Sequence, residues 1–235
     1  MKQIFAEFEE NGFLIVRNTL DEKTILTLID ALSNLKASKL INRKDERVYG
    51  VRDLLNLLPA VQEFSQSRTV REIAENFLGK DARVVRAIYF DKTADANWKV
   101  PWHQDLTIAV REKLEVKGFT AWTEKVGIHH VQPPVEILKK MLTLRFHLDD
   151  TDENNGALNV VPKSHKIGRL NAEEIINVRK ANETSLCSVK KGDCLVIRPL
   201  LVHSSSAGLN PKHRRVIHFE FSADELPNGL NWYDS

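Results

Sequence analysis

Along the first third of the chain, apolar residues recur at helical spacing. Within 21–38, Ile25, Leu28, Ile29, Leu32 and Leu35 fall on one stripe, the signature of an amphipathic helix, and Thr19 followed by Glu22 has the form of a capping box at its start. Residues 69–78 repeat the pattern through Ile73, Ala74 and Phe77, and Gly79 stands where a helix end favours a left-handed residue. From Arg83 onward the period shortens to two. Short β-branched and aromatic runs occupy 83–90, 141–148, 158–161, 185–189, 194–198 and 215–221. Helices followed by such strands predict a mainly β fold with N-terminal helices. The architecture expected is a barrel or jelly roll rather than alternating βαβ units.

Strand parity says which side chains enter the barrel, because alternate residues face opposite sides of a sheet. In 142–148 the apolar members are Leu142, Leu144, Phe146 and Leu148, leaving Thr143, Arg145 and His147 for the interior. In the last strand Ile217, Phe219 and Phe221 share one face, and Arg214, His218 and Glu220 share the other. An arginine inside needs an anionic partner, since an unpaired buried charge is prohibitive. For Arg145 that partner is an internal Asp or Glu, or a carboxylate on the substrate or cosubstrate.

No repeat or linker divides the chain, so 1–235 reads as one domain: a helical buttress over 1–80, a jelly-roll core over 81–222, and an insertion at 107–140. That insertion holds Gly118, Gly127 and Pro133–Pro134 with little periodicity. Phe119, Trp122, Ile128 and Val131 would be costly to leave in water, so a lid or binding loop is expected.

Composition narrows the classes. The 34 Lys+Arg and 32 Asp+Glu give a formal charge of +2 with no basic run, which speaks against a nucleic-acid partner. No stretch reaches the roughly 20 apolar residues of a membrane span, and the first residues do not resemble a signal peptide. Cys187 and Cys194 are too few for a disulfide framework. A cytoplasmic protein without a membrane partner is expected; the pattern carries no sign of oligomeric state.

The candidate chemistry lies in Trp102-His103-Gln104-Asp105 and in Arg198-Pro199-Leu200-Leu201-Val202-His203. In an extended segment His103 and Asp105 project to one side, and a histidine from a neighbouring strand would complete a two-His-one-carboxylate face with open metal positions. His203 is the best-placed third member. Alone, His-x-Asp is weak, because many surface strands contain one. Arg214 strengthens it, since a planar guanidinium can grip the far carboxylate of a metal-chelating keto acid. Tyr89, Asn97 and Trp98 are candidate pocket residues ahead of this strand, and Trp122 and His130 are candidates from the insertion. The remaining histidines read as turn residues or as supports behind the ligands.

The order HQDL, then NNGAL with VVPKSHK, then RPLLVHSS, then an arginine in the last strand resembles the phytanoyl-CoA dioxygenase family. The opening NGFLIVRNTL followed by a helix is also similar to that family. The resemblance implies a double-stranded β-helix, that is, a jelly roll or cupin-like barrel, buttressed by N-terminal helices, with Fe(II) on His103, Asp105 and His203. It further implies 2-oxoglutarate and O2 as cosubstrates, with Arg214 on the 2-oxoglutarate carboxylate and Ser205 assisting. The activity implied is hydroxylation of a small or medium organic molecule, with release of succinate and CO2. Two positions depart from the pattern: Lys163 replaces a usual turn glycine, and Gly208 replaces a frequent asparagine. Asp105 stands where related halogenases carry a small residue, which favours hydroxylation or desaturation. The rival readings are a Zn or Mn cupin-like hydrolase or isomerase, and a silent ligand-binding family member; consumption of 2-oxoglutarate separates them.

Overall fold

The helical stripes and the period-two runs become packed layers in the computed structural model, which describes residues 2–35, 41–44, 47–209 and 212–234. The helices are α1 (Lys2–Asn11), α2 (Glu22–Ser33), α3 (Leu54–Leu57), α4 (Pro59–Ser65), α5 (Arg68–Leu78), α6 (Val135–Lys139) and α7 (Ala172–Ala181). The strands are β1 (Phe13–Val16), β2 (Ile41–Lys44), β3 (Arg47–Val51), β4 (Arg83–Asp91), β5 (Val100–His103), β6 (Ile108–Val110) and β7 (Thr120–Lys125). They continue with β8 (Ile128–Gln132), β9 (Leu142–His147), β10 (Leu158–Val160), β11 (Ser185–Cys187), β12 (Cys194–Ile197), β13 (His203–Ser205) and β14 (Arg215–Ser222).

A seven-stranded sheet in the order β1-β12-β9-β14-β4-β3-β2 and a four-stranded sheet β11-β10-β13-β5, both antiparallel, form the jelly roll. The helices cover the outer face of the larger sheet. Ile25, Leu28, Val61, Phe64, Val70 and Ile73 pack there against Leu144, Phe146, Ile217, Phe219 and Phe221. Phe64 meets Phe146 edge-on at 5.0 Å, a favoured aromatic geometry. The helix stripe and the apolar strand parity therefore serve one core.

Several local expectations change. Asp21, not Thr19, caps α2, accepting from the Thr24 N–H at 2.7 Å. Thr19 is tied elsewhere: its N–H and its hydroxyl both donate to the Gly192 carbonyl, which anchors the chain to the turn before β12. α2 stops at Ser33 with Asn34 as its C-cap, so Leu35 joins the core from beyond the helix, and positions 36–38 lie outside the described residues. Lys163 takes the left-handed conformation a glycine would adopt, φ 68°, so that turn keeps its shape with a strained residue. Cys187 and Cys194 are both free and buried. Among the described residues no helix is long and apolar enough to cross a membrane.

The 107–140 segment departs most from expectation. It is a three-stranded antiparallel sheet, β6-β8-β7, followed by α6, rather than an irregular connection. Ile108, Val110, Phe119, Val131 and Leu138 build an apolar cluster with Leu226, Leu230 and Trp232 from the end of the chain. Its strands are short, and Val126 and Gly127 both take positive φ at the β7–β8 turn, so the periodicity is broken too often to read.

Candidate active site

β5 and β13 pair so that His103 and His203 are direct cross-strand partners. Asp105 follows the end of β5, where its N–H donates to the Pro199 carbonyl at 2.9 Å. Gln104 between them turns away and fastens the segment. Its amide donates to Leu200 O at 2.6 Å and Gly168 O at 2.8 Å, and its carbonyl accepts from the Leu170 N–H at 2.8 Å. His103 Nε2 lies 3.6 Å from one Asp105 oxygen and His203 Nε2 lies 3.8 Å from the other. One ligand atom from each residue falls within 4.8 Å of the other two.

The imidazoles are held in the tautomer a metal needs. His103 Nδ1 lies 2.9 Å from Pro101 O and 3.1 Å from His203 O, and His203 Nδ1 lies 2.8 Å from Leu201 O. A carbonyl only accepts, so each Nδ1 carries the hydrogen and each Nε2 lone pair is left facing Asp105. Burial alone would raise the Asp105 carboxyl, but His203 and His103 hold it well below the usual range. Burial drives His203 down to about 4. It opposes protonation of His103 as well, where Asp105 outweighs it and raises the pKa.

Beside this cluster the larger sheet presents a polar inner face. Arg145, His218 and Ile88 occupy one row across β9, β14 and β4, and Thr143, Glu220 and Arg86 occupy the next. Arg145 Nη1 donates to His218 Nδ1 at 2.9 Å, so His218 is neutral with its hydrogen on Nε2, which points to Glu220 at 3.3 Å. Burial lowers the His218 pKa, in keeping with that state. Glu220 also pairs with Arg86. Among the described residues no acid bonds Arg145 directly; of the two kinds of partner expected for it, the internal carboxylate, Glu220, is reached only through His218.

Arg214 is buried and forms no ion pair among the described residues, and its Nε has no hydrogen-bond partner; the Arg145 Nε is orphaned in the same way. Burial, then the charge of Arg145, brings Arg214 down to about 9. Buried cations left this way lack an anion. Ser205 donates to the Gly156 carbonyl at 2.8 Å and accepts from Lys92 at 2.6 Å. The fully buried Lys92, not anticipated from the sequence, is pushed down to about 7 by burial and by Arg214 and Arg145. His103, Asp105, His203, Arg145, Ser205 and Arg214 line one cavity of about 120 Å³. The donor set and the orphaned guanidinium edges fit a divalent metal with a dicarboxylate.

Trp98 also lines this cavity, whereas four other candidates do not. Tyr89 points to the opposite face of β4 and packs in the helix-covered core, as its odd parity on that strand requires. Asn97 clamps Gly208, accepting from its N–H and donating to its carbonyl, both at 2.7 Å. Trp122 is half-buried against the insertion's own cluster. His130 is buried in a neighbouring small cavity, with Nδ1 donating to Ile128 O at 2.9 Å. Arg215 forms a two-point pair with Asp149, at 2.8 and 2.6 Å, instead of reaching past the sheet edge into solvent. A larger apolar cleft of about 460 Å³ between α1, β1 and α5 contains no titratable group.

A jelly roll with two histidines and a carboxylate on its inner face offers the facial donor set of non-haem Fe(II) oxygenases. The chain belongs to the phytanoyl-CoA dioxygenase family, whose model matches residues 8–216. Fe(II) is the cofactor and 2-oxoglutarate the cosubstrate. Among solved structures, EctD from S. alaskensis with 2-oxoglutarate and 5-hydroxyectoine is 14% identical, with a TM-score of 0.74 over 94% of this chain and 76% of that one. EctD with bound Fe superposes with a TM-score of 0.75 at 14% identity, over 97% of this chain and 79% of its own. AviO1 from Streptomyces viridochromogenes Tue57 is 22% identical, with a TM-score of 0.68 over 97% and 96% of the two chains. SnoK, a non-heme alpha ketoglutarate dependent carbocyclase from nogalamycin biosynthesis, is 15% identical, with a TM-score of 0.70 over 94% and 83%. Comparison with curated protein sequences gave no match.

Proposed function

We propose that this protein hydroxylates a small or medium organic molecule, converting 2-oxoglutarate to succinate and CO2. In this reading His103, Asp105 and His203 hold Fe(II). Arg214 grips the distal carboxylate of 2-oxoglutarate, with Ser205 beside it. The observation that carries the reading is the pairing of two Nε2 lone pairs turned toward one carboxylate with a buried, unpaired guanidinium in the same cavity. The iron supplies oxygen activation when bound. The protein's own work is placement: the carbonyls of Pro101 and Leu201 set the imidazole tautomers, and Gln104 holds the ligand strand. Asp105 occupies the third protein position on the metal, which supports hydroxylation over halogenation. The insertion's Ala109, Ile128 and His130 line a small neighbouring cavity with Arg52 and Arg86, whose charges, after burial, lower the pKa of Lys125.

The test is succinate formation with Fe(II), ascorbate and 2-oxoglutarate across a metabolite library, with ¹⁸O₂ label followed into product. Label in a hydroxyl group supports the reading. Turnover without 2-oxoglutarate favours a hydrolase or isomerase, and label-free cyclised or epimerised product moves the reaction away from hydroxylation.

A further inference from the structure

We propose that the primary substrate has an apolar or aromatic body ending in a carboxylate or phosphate, and that Arg52 receives this anion. The inference rests on the oxygenase reading and adds the substrate class. β3 pairs with β4 through Gly50↔Phe90 and Val51↔Tyr89. The next position sets Arg52 beside Ile88, on the inner face. Arg145, His218 and Ile88 stand in one row across β9, β14 and β4, and Arg52, the first residue past the end of β3, continues that row and lines the same cavities as Ile88. Three strand spacings are about 14 Å, so Arg52 lies well away from the 2-oxoglutarate end of the site.

Two cavities meet along this row. The second, of about 260 Å³, is lined by Arg52, Ile88, Phe90 and Trp98 together with Gly50, Val51 and Tyr89 at its β3–β4 edge. Ile88, Phe90 and Trp98 also line the cavity that holds His103 and Arg214. These three side chains are the shared wall on which an apolar body would lie, with its reacting carbon toward the histidines and its far end at Arg52.

Apart from Arg214, whose place belongs to 2-oxoglutarate in this reading, the other inner-face cations have side-chain partners. Arg86 is paired with Glu220, and Arg145 is bonded to His218. Asp53, next to Arg52 in sequence, accepts from Asn56 at 2.6 Å and lies against Tyr233. Asp234 bonds the Ala87 N–H and faces Asp53 and Glu220. Arg52 is half-buried, with no hydrogen bond or ion pair among the described residues; it shares a small cavity with Arg86, Asp53 and Asp234, neither acid being paired with it, and Arg86 and Lys125 are the cations near it. A guanidinium without an ion pair on the wall of this largely apolar cavity, with Arg86 on the neighbouring strand, makes a place for an anion.

Calorimetric titration of the anaerobic Fe(II) enzyme, with 2-oxoglutarate saturating so that Arg214 is occupied, tests this. The probes are 3-phenylpropanoate against 3-phenylpropanamide, and 2-phenylethyl phosphate against 2-phenylethanol. At least one anion should bind about tenfold or more tightly than its neutral counterpart. The preference should vanish in Arg52→Met and partly return in Arg52→Lys, and the pair that shows it identifies carboxylate or phosphate. Equal binding within both pairs, no binding of either anion, or a preference that survives Arg52→Met would overturn the inference. Succinate formation by the wild-type enzyme, measured separately, distinguishes this outcome from failure of the oxygenase reading itself.

Discussion

His103 and His203 lie directly opposite each other on β5 and β13, their rings 4.2 Å apart, although 100 positions separate them in the chain. Each has its Nδ1 committed to a carbonyl, so the pair can act together only through Nε2. Replacing either by Ala should abolish Fe(II) binding in an anaerobic titration. His130→Ala and His147→Ala should leave it intact, because His130 lines a different cavity and His147 bonds Thr151 at 2.8 Å. Equal loss in the His130 variant would refute the assignment of ligands.

Arg214 and Arg215 are neighbours with opposite orientations and should separate by phenotype. Arg214→Gln removes a charged contact in a closed site, on the order of 2–5 kcal/mol, and should raise the 2-oxoglutarate KM about thirtyfold or more with Fe(II) binding retained. Arg215→Gln breaks a largely buried two-point pair with Asp149 and should cost about 1–3 kcal/mol of stability with KM nearly unchanged. A reversed pattern in the two KM values would mean that β14 is shifted by one residue.

Lys92 gives the protein a measurable pH signature. Its pKa is about 7 when folded, against 10.5 for an exposed lysine. Between those values the unfolded chain holds a proton that the folded protein lacks, so this group makes stability rise with pH from about 7 toward 10.5. Urea midpoints at about pH 7 and pH 9.5, without 2-oxoglutarate, should increase more for wild type than for Lys92→Met. Parallel shifts in the two proteins would show that Lys92 remains charged throughout.

Lys163→Gly should stabilise the protein by about 1 kcal/mol, because φ 68° is unfavourable for any residue with a Cβ. The exposed pair of Lys163 with Glu10 would be lost, but Lys166 continues to hold Glu10. Lower stability in chemical denaturation would mean that the ion pair outweighs the backbone strain.

Trp232 is buried in the insertion's cluster, bridges Val110 and donates from its indole to Asp224 O at 2.9 Å. Trp232→Ala should therefore cost about 3–5 kcal/mol and speed proteolysis within 107–140. Unchanged cleavage would show that this segment holds together without the tail.

Periodicity alone determined the two amphipathic helices, the main strands and the inward parity of Arg145, His218 and Arg214, because each is a local consequence of where apolar residues fall along a helix or strand. The motif order carried the family and the site cluster His103, Asp105 and His203. Only the tertiary structure decided which strands became neighbours, since pairing is set by hydrogen bonds between segments far apart in sequence. That pairing put His218 between Arg145 and Glu220, and Arg52 in the same row. It buried Lys92 beside Ser205 and turned Tyr89 into the core. It also folded the insertion, whose short strands find their apolar partners at the far end of the chain.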